Sequence, residues 1–159
     1  MKQIILLISL SIFLFSADSI DTIKIASSLS QLNSFKFETP HGSKVQIPQN
    51  SELIIIAFEK DTGRLVNKYL KTKDSHYLTE AHAIYIADIH EMPSIIISLF
   101  ALPKLKKYEH PIFLYYDDDF QTIIPNKDGK VTLIYIKNKK VTGISFISTQ
   151  EELTEAIEK

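Results

Sequence analysis

Leu53-Ile54-Ile55-Ile56-Ala57-Phe58 is an unbroken apolar run of strand length. A strand with one wet face alternates apolar and polar positions, so a continuous run predicts a strand covered on both faces, at the centre of a sheet. Asp61 follows and is suited to cap a helix reaching about Lys71, on which Leu65, Val66, Tyr69 and Leu70 share one side. Ala83 to Ile89 repeats the buried-strand pattern. Pro93 fits the first turn of a second helix carrying Ile96, Ile97, Leu99 and Phe100. Pro103 lacks an N–H donor and crowds the preceding turn, so it is expected to end or kink that helix. Ile112 to Tyr116 reads as a third strand. Two strand-helix-strand crossovers imply a parallel, right-handed arrangement.

The two ends of the chain follow another rule. Phe35 and Phe37 alternate before the turn Pro40-His41-Gly42-Ser43, and Val45 and Ile47 alternate after it, which predicts a β-hairpin. Val131 to Ile136 and Val141 to Ile147 flank Lys137-Asn138-Lys139-Lys140, a connection short enough only for an antiparallel pair. A closing helix is expected from Thr149, with Ser148 and Glu151 at capping-box spacing and Leu153, Ala156 and Ile157 on one side. Asp18 to Ser34 is Ser-rich with apolar residues at mixed spacing and predicts no definite element.

At the start, Lys2 precedes the apolar run Ile4 to Phe15, broken only by Ser9 and Ser11 and followed by the small residues Ser16 and Ala17. Residues 1–17 therefore read as a secretory signal peptide. A retained anchor is the rival reading, although a spanning helix needs about 20 apolar residues. The expected organisation is signal peptide 1–17, an N-terminal segment 18–34 and a single domain 35–159, periplasmic or otherwise exported.

Composition narrows the chemistry. The 159-residue chain carries 18 Lys and Arg against 19 Asp and Glu, a net charge of −1, so no basic excess advertises nucleic acid. A membrane partner is expected only through an uncleaved signal segment. With no cysteine, disulfides, thiolate metal sites, Cys nucleophiles and redox dithiols are excluded. Four glycines leave no phosphate loop, and no serine stands in a nucleophile-elbow sequence. No cofactor is expected.

The element order, the strand Ile54 to Phe58 entering a helix at Asp61, the segment Pro111 to Asp117 and the Asp128-Gly129-Lys130-Val131 opening of the last hairpin together resemble the thioredoxin-like superfamily. The similarity is to its exported branch of TlpA-like and peroxiredoxin-like proteins and covers about residues 35–158. It implies an α/β fold, a three-layer sandwich with a central mixed sheet and an N-terminal hairpin. In that family a Cys-x-x-Cys pair or a peroxidatic Cys opens the helix after the central strand; here the matching stretch is Asp61-Thr62-Gly63-Arg64. The proline, commonly cis, that directly precedes the first strand of the final hairpin is replaced at best by Pro125, well ahead of Val131. The fold is implied, and the redox activity is not.

Three constellations remain. Arg64, the only arginine, lies in the first turn of the helix at the family's active-site corner, where free N–H groups favour an anion. With Asp61, Thr62, Gly63 and His90 it forms a candidate surface for an envelope protein or a small anionic ligand; the alternative is a solvated arginine paired with Asp61. Asp61, Asp88 and Asp117 stand where the three parallel strands end, and converging carboxylates there would hold a hard cation and support a cation-dependent protein or enzyme. The alternative is that acidic residues simply cap turns and helix starts. His76, His82 and His90 with Asp88 offer transition-metal ligands, at spacings matching no ligand pattern. Lys104, Lys106 and Lys107 beside Tyr108 read as a dipole-favoured helix end.

Overall fold

The computed structural model describes residues 22–25 and 27–158; the expected signal peptide lies outside them. The predicted strands assemble into one seven-stranded mixed sheet. Its strands are β1 (Phe37–Glu38), β2 (Lys44–Val45), β3 (Leu53–Ala57), β4 (Ala83–Asp88), β5 (Phe113–Tyr115), β6 (Val131–Lys137) and β7 (Lys140–Ile147), in the order β2-β1-β5-β4-β3-β6-β7. β3, β4 and β5 are parallel, as the crossovers require. β6 runs antiparallel to β3 and to β7, and β1 antiparallel to β2 and β5. All five residues of β3 and all six of β4 are buried, the expected consequence of unbroken apolar runs in an interior position.

Strand alternation divides the core into two halves. Ile54, Ile56, Ile84 and Ile86 face one side, together with Phe35, Phe37, Tyr115 and Phe120. Leu53, Ile55, Ala57, Ala83, Tyr85 and Ala87 face the other. The second side is covered by α2 (Lys60–Leu70), α3 (Tyr77–Glu80) and α7 (Gln150–Ile157), which contribute Val66, Tyr69, Leu70, Leu78 and Leu153. The first side is covered by α6 (Phe120–Ile123) and by the segment for which the sequence predicts no element. That segment contains α1 (Leu29–Leu32), capped reciprocally by Ser28 and Gln31, and it buries Ile23, Leu29 and Leu32. Its backbone ties to the sheet at Leu29 N–H to the Lys139 carbonyl, 2.9 Å, and Val141 N–H to the Ser27 carbonyl, 2.8 Å.

Several local expectations shift, each for a physical reason. Helix α2 begins one residue earlier than Asp61, with Glu59 at the N-cap, because Thr62 closes that end: its Oγ1 accepts from Glu59 N–H and donates to the Glu59 carbonyl. The cap of α7 is Thr149 with Glu152, one residue along from Ser148 and Glu151, since this pair bonds reciprocally at 3.1–3.2 Å. The last hairpin turns through only Asn138 and Lys139, both at positive φ (52° and 61°), the geometry that matches strand twist in a two-residue loop. Pro93 is the N-cap of α4 (Ser94–Ile96) rather than part of its first turn. Pro103 does not end the helix. A π-helical turn, Ile97–Ala101, intervenes before α5 (Leu102–Leu105), with Leu102 N–H reaching back five residues to the Ile97 carbonyl. The wide turn accommodates the proline ring and its missing donor.

Candidate functional site

The carboxyl ends of β3 and β4 open onto α2, and a cavity of about 330 Å³ lies there. Its floor is apolar and polar by turns: Ala57, Gly63, Ala87 and the ring of fully buried Tyr85. Gly63 faces these strands: a Cβ there would stand 3.5 Å from the Tyr85 hydroxyl and 4.0 Å from Ala57 Cβ, ordinary contact distances. Lys60, Arg64 and Lys68 line the cavity from successive turns of α2, Lys71 from its C-cap, and Lys104 adds a cation from α5. Of the two acidic residues on the lining, Glu59 is committed elsewhere: its Oε1 accepts the Gly129 N–H at 2.8 Å. Asp88 belongs by strand alternation to the opposite face with Ile84 and Ile86, where Tyr115 and Gln121 are its neighbours. The basin is therefore cationic.

A polar chain runs beneath it. Asn67 Nδ2 donates to the Gly63 carbonyl at 2.7 Å and lies 3.4 Å from the Tyr85 hydroxyl. Asn67 Oδ1 can only accept, so His110 Nε2, 3.1 Å away, carries the proton. Burial, with Lys71 near, lowers the His110 pKa to about 4, and the ring is neutral at physiological pH. Tyr108 stacks on that ring at 5.1 Å, and Lys71 Nζ sits 5.3 Å above Tyr108. Burial also raises the Tyr85 hydroxyl, which stays protonated. Neutral hydrogen-bonded groups line the depth, and cations line the mouth.

The structure distributes the candidate residues unevenly. Gly63 and Arg64 line the basin; Arg64 Nη1 also contacts Asp61 Oδ1 at 2.8 Å, an exposed pair of small energetic weight. Thr62 is buried and spent on the helix cap. His90 lies outside the basin, its Nδ1 2.9 Å from Asp88 Oδ1. Burial raises the Asp88 pKa above its usual value against the opposing pull of His90, and its Oδ2 has no hydrogen-bond partner. Asp119, two residues beyond exposed Asp117, accepts from the Tyr115 hydroxyl at 2.5 Å. Among the described residues no three His, Asp or Glu side chains gather to hold a metal, and Asp61, Asp88 and Asp117 form no such group. The reason lies in where each carboxylate is held: Asp61 is on α2 and pairs with Arg64, Asp88 is buried at the end of β4 against His90, and Asp117 is exposed beyond β5. His76 is exposed on a loop and His82 bonds Asn50 at 3.0 Å. Lys60, Lys68, Lys71, Lys104, Asn67, Tyr85 and Tyr108 are the site residues that sequence reasoning missed. The signal was present, since Lys60, Arg64, Lys68 and Lys71 recur at helical spacing.

No family model matches the chain, and no curated protein does. Solved structures do. A thioredoxin-like protein from Porphyromonas gingivalis superposes with a TM-score of 0.54 at 17% identity, over 83% of this chain and 92% of that one. A thiol:disulfide interchange protein from a Bacteroides species gives 0.51 at 12% identity, over 87% and 91%. The thioredoxin domain of a thiol-disulfide oxidoreductase from Bacteroides vulgatus gives 0.51 at 11%, over 86% and 97%. The chain has the thioredoxin-like fold, and without cysteine it has no dithiol at the corner.

Proposed function

We propose that this chain is an exported, redox-inactive binding module that holds an anionic group of an envelope protein or small ligand in the basin beside α2. The observation that carries the reading is the convergence of Lys60, Arg64, Lys68, Lys71 and Lys104 on one cavity whose two acidic residues are turned away or occupied. A guanidinium and ammonium groups at the mouth suit carboxylate or phosphate, and the first turn of α2 adds the positive end of its dipole. Export rests on Lys2, the run Ile4 to Phe15 and the small residues Ser16 and Ala17. No described helix is long and apolar enough to cross a membrane.

Calorimetric titration with inorganic phosphate, citrate and an acidic hexapeptide tests the basin. A charge-assisted contact contributes about 1.5–3 kcal/mol, so Arg64→Ala is expected to weaken binding roughly ten- to a hundredfold, while Lys106→Ala, away from the basin, leaves it unchanged. Equal binding by both variants, or none by the wild type, overturns the assignment. Mass spectrometry of the protein in the envelope fraction is expected to find an N-terminus near Ala17 or Asp18. A soluble cytosolic chain still beginning at Met1 would contradict export.

A further inference from the structure

The helical stretch from Ser94 to Leu105 is apolar on two opposite sides. Ile97, Leu102 and Leu105 pack against the core. Ile95, Ile96, Leu99 and Phe100 turn the other way and are 63%, 39%, 61% and 64% exposed. A helix apolar all round is normally covered all round. Among the described residues the only other large apolar side chain so exposed is Ile25, so the patch is a concentrated feature of this one surface.

Charge identifies what covers it. Glu91, exposed, precedes the patch, and Lys104, Lys106 and Lys107, also exposed, follow it. Along the chain the surface reads acid, apolar, base. A twofold axis through the middle of the four apolar residues lays a second helix antiparallel on the first, which brings the turn holding Glu91 in each copy toward the Lys104 end of the other. We infer that this face pairs with the same face of a second copy of this chain. Such an interface is isologous, with an apolar centre containing an aromatic anchor and charges confined to its rim. A uniformly anionic lipid surface would meet the lysines favourably but be repelled by Glu91. Lys104 stands at the edge of both surfaces, but none of the four apolar residues lines the anion basin, so Phe100→Glu tests the pairing with the basin lining intact.

The absence of cysteine makes the test clean, because one introduced thiol is the only thiol. Ser98→Cys places it on the exposed helix beside the patch, and Thr79→Cys places it on exposed α3 as a control. The full chain, expressed in its own host and treated with a short bismaleimide, is expected to give a covalent species of twice the chain mass for Ser98→Cys and not for Thr79→Cys. Adding Phe100→Glu should remove most of that species without lowering the melting temperature, since Phe100 is exposed. Glu91→Lys should reduce it, and Glu91→Lys with Lys104→Glu should recover it. The inference is overturned if Ser98→Cys couples to itself no more than Thr79→Cys does, if Phe100→Glu leaves the yield unchanged, or if the thiol couples to a different protein.

Discussion

On one face of the sheet Phe35, Phe37, Phe58, Tyr115 and Phe120 meet ring to ring, with centroids 4.6–6.2 Å apart. On the other, the ring of Tyr85 is joined through Asn67 to His110, under a cavity edged with lysines. The first face is packed mainly by aromatic rings, against which the N-terminal segment lies, with Asp88 buried on that face and its Oδ2 unpartnered. The second gives up apolar contact for a buried hydrogen-bonded chain, and such chains cost stability wherever they are incompletely satisfied. The Asn67–Tyr85–His110 chain thus lies under the cavity, while the opposite face is dominated by aromatic rings.

That contrast is broken most severely by charging the strand both faces share. Ile54 and Ile55 are neighbours in β3, fully buried on opposite sides. Ile54→Asp and Ile55→Asp each bury an unpaired carboxylate and are expected to cost about 3–5 kcal/mol, measured by denaturant unfolding. A variant melting within a few degrees of wild type would show that its face is not part of the core.

Titration separates the faces next, because their buried ionisable groups respond to pH in opposite senses. The His110 pKa is depressed on folding, from 6.5 to about 4, so the unfolded chain binds more protons between those values. Stability from this group is complete above pH 6.5 and is lost as pH falls toward 4, by about 1–3 kcal/mol. His110→Gln keeps a donor for Asn67 and should flatten that loss. The Asp88 pKa is raised on folding, so its contribution runs the other way: stability is lost as pH rises through the range above its usual 3.8. Asp88→Asn should therefore gain a little stability at pH 7 and remove that slope. Thermal melts of both variants from pH 3.5 to 8 check the pair; parallel pH profiles for the two variants would break the comparison.

Much of this architecture is legible in the residues. The unbroken runs at Leu53 to Phe58 and Ala83 to Ile89 declare strands buried on both faces because no polar side chain interrupts them. The two crossovers and the closing hairpin then restrict the topology. The N-terminal segment is illegible because its one helical pair, Leu29 and Leu32, spans a single turn and Ile23 stands outside it; they are recruited by a hydrophobic surface that exists only once the sheet has formed. The cap at Glu59 in place of Asp61 and the π-helical passage of Pro103 depend on backbone geometry that several residue types satisfy equally well.

The sequence by itself determined that no thiol chemistry takes place here and that two βα units build a parallel core; Arg64, expected in the first turn of the helix after β3, is its fifth residue because the helix starts at Lys60. The first two statements need only residue identity and short-range periodicity. Tertiary structure decided which charged groups act together. The acidic residues near the ends of β3, β4 and β5 do not gather into one group, since Asp61 pairs with Arg64 on α2, Asp88 is buried against His90 and Asp117 stays in solvent. The cations of α2 instead share a cavity with Lys104 from a helix distant in sequence. Which groups stand together at a strand end depends on strand order, register and side-chain direction, and these are properties of the assembled sheet rather than of any one stretch of chain.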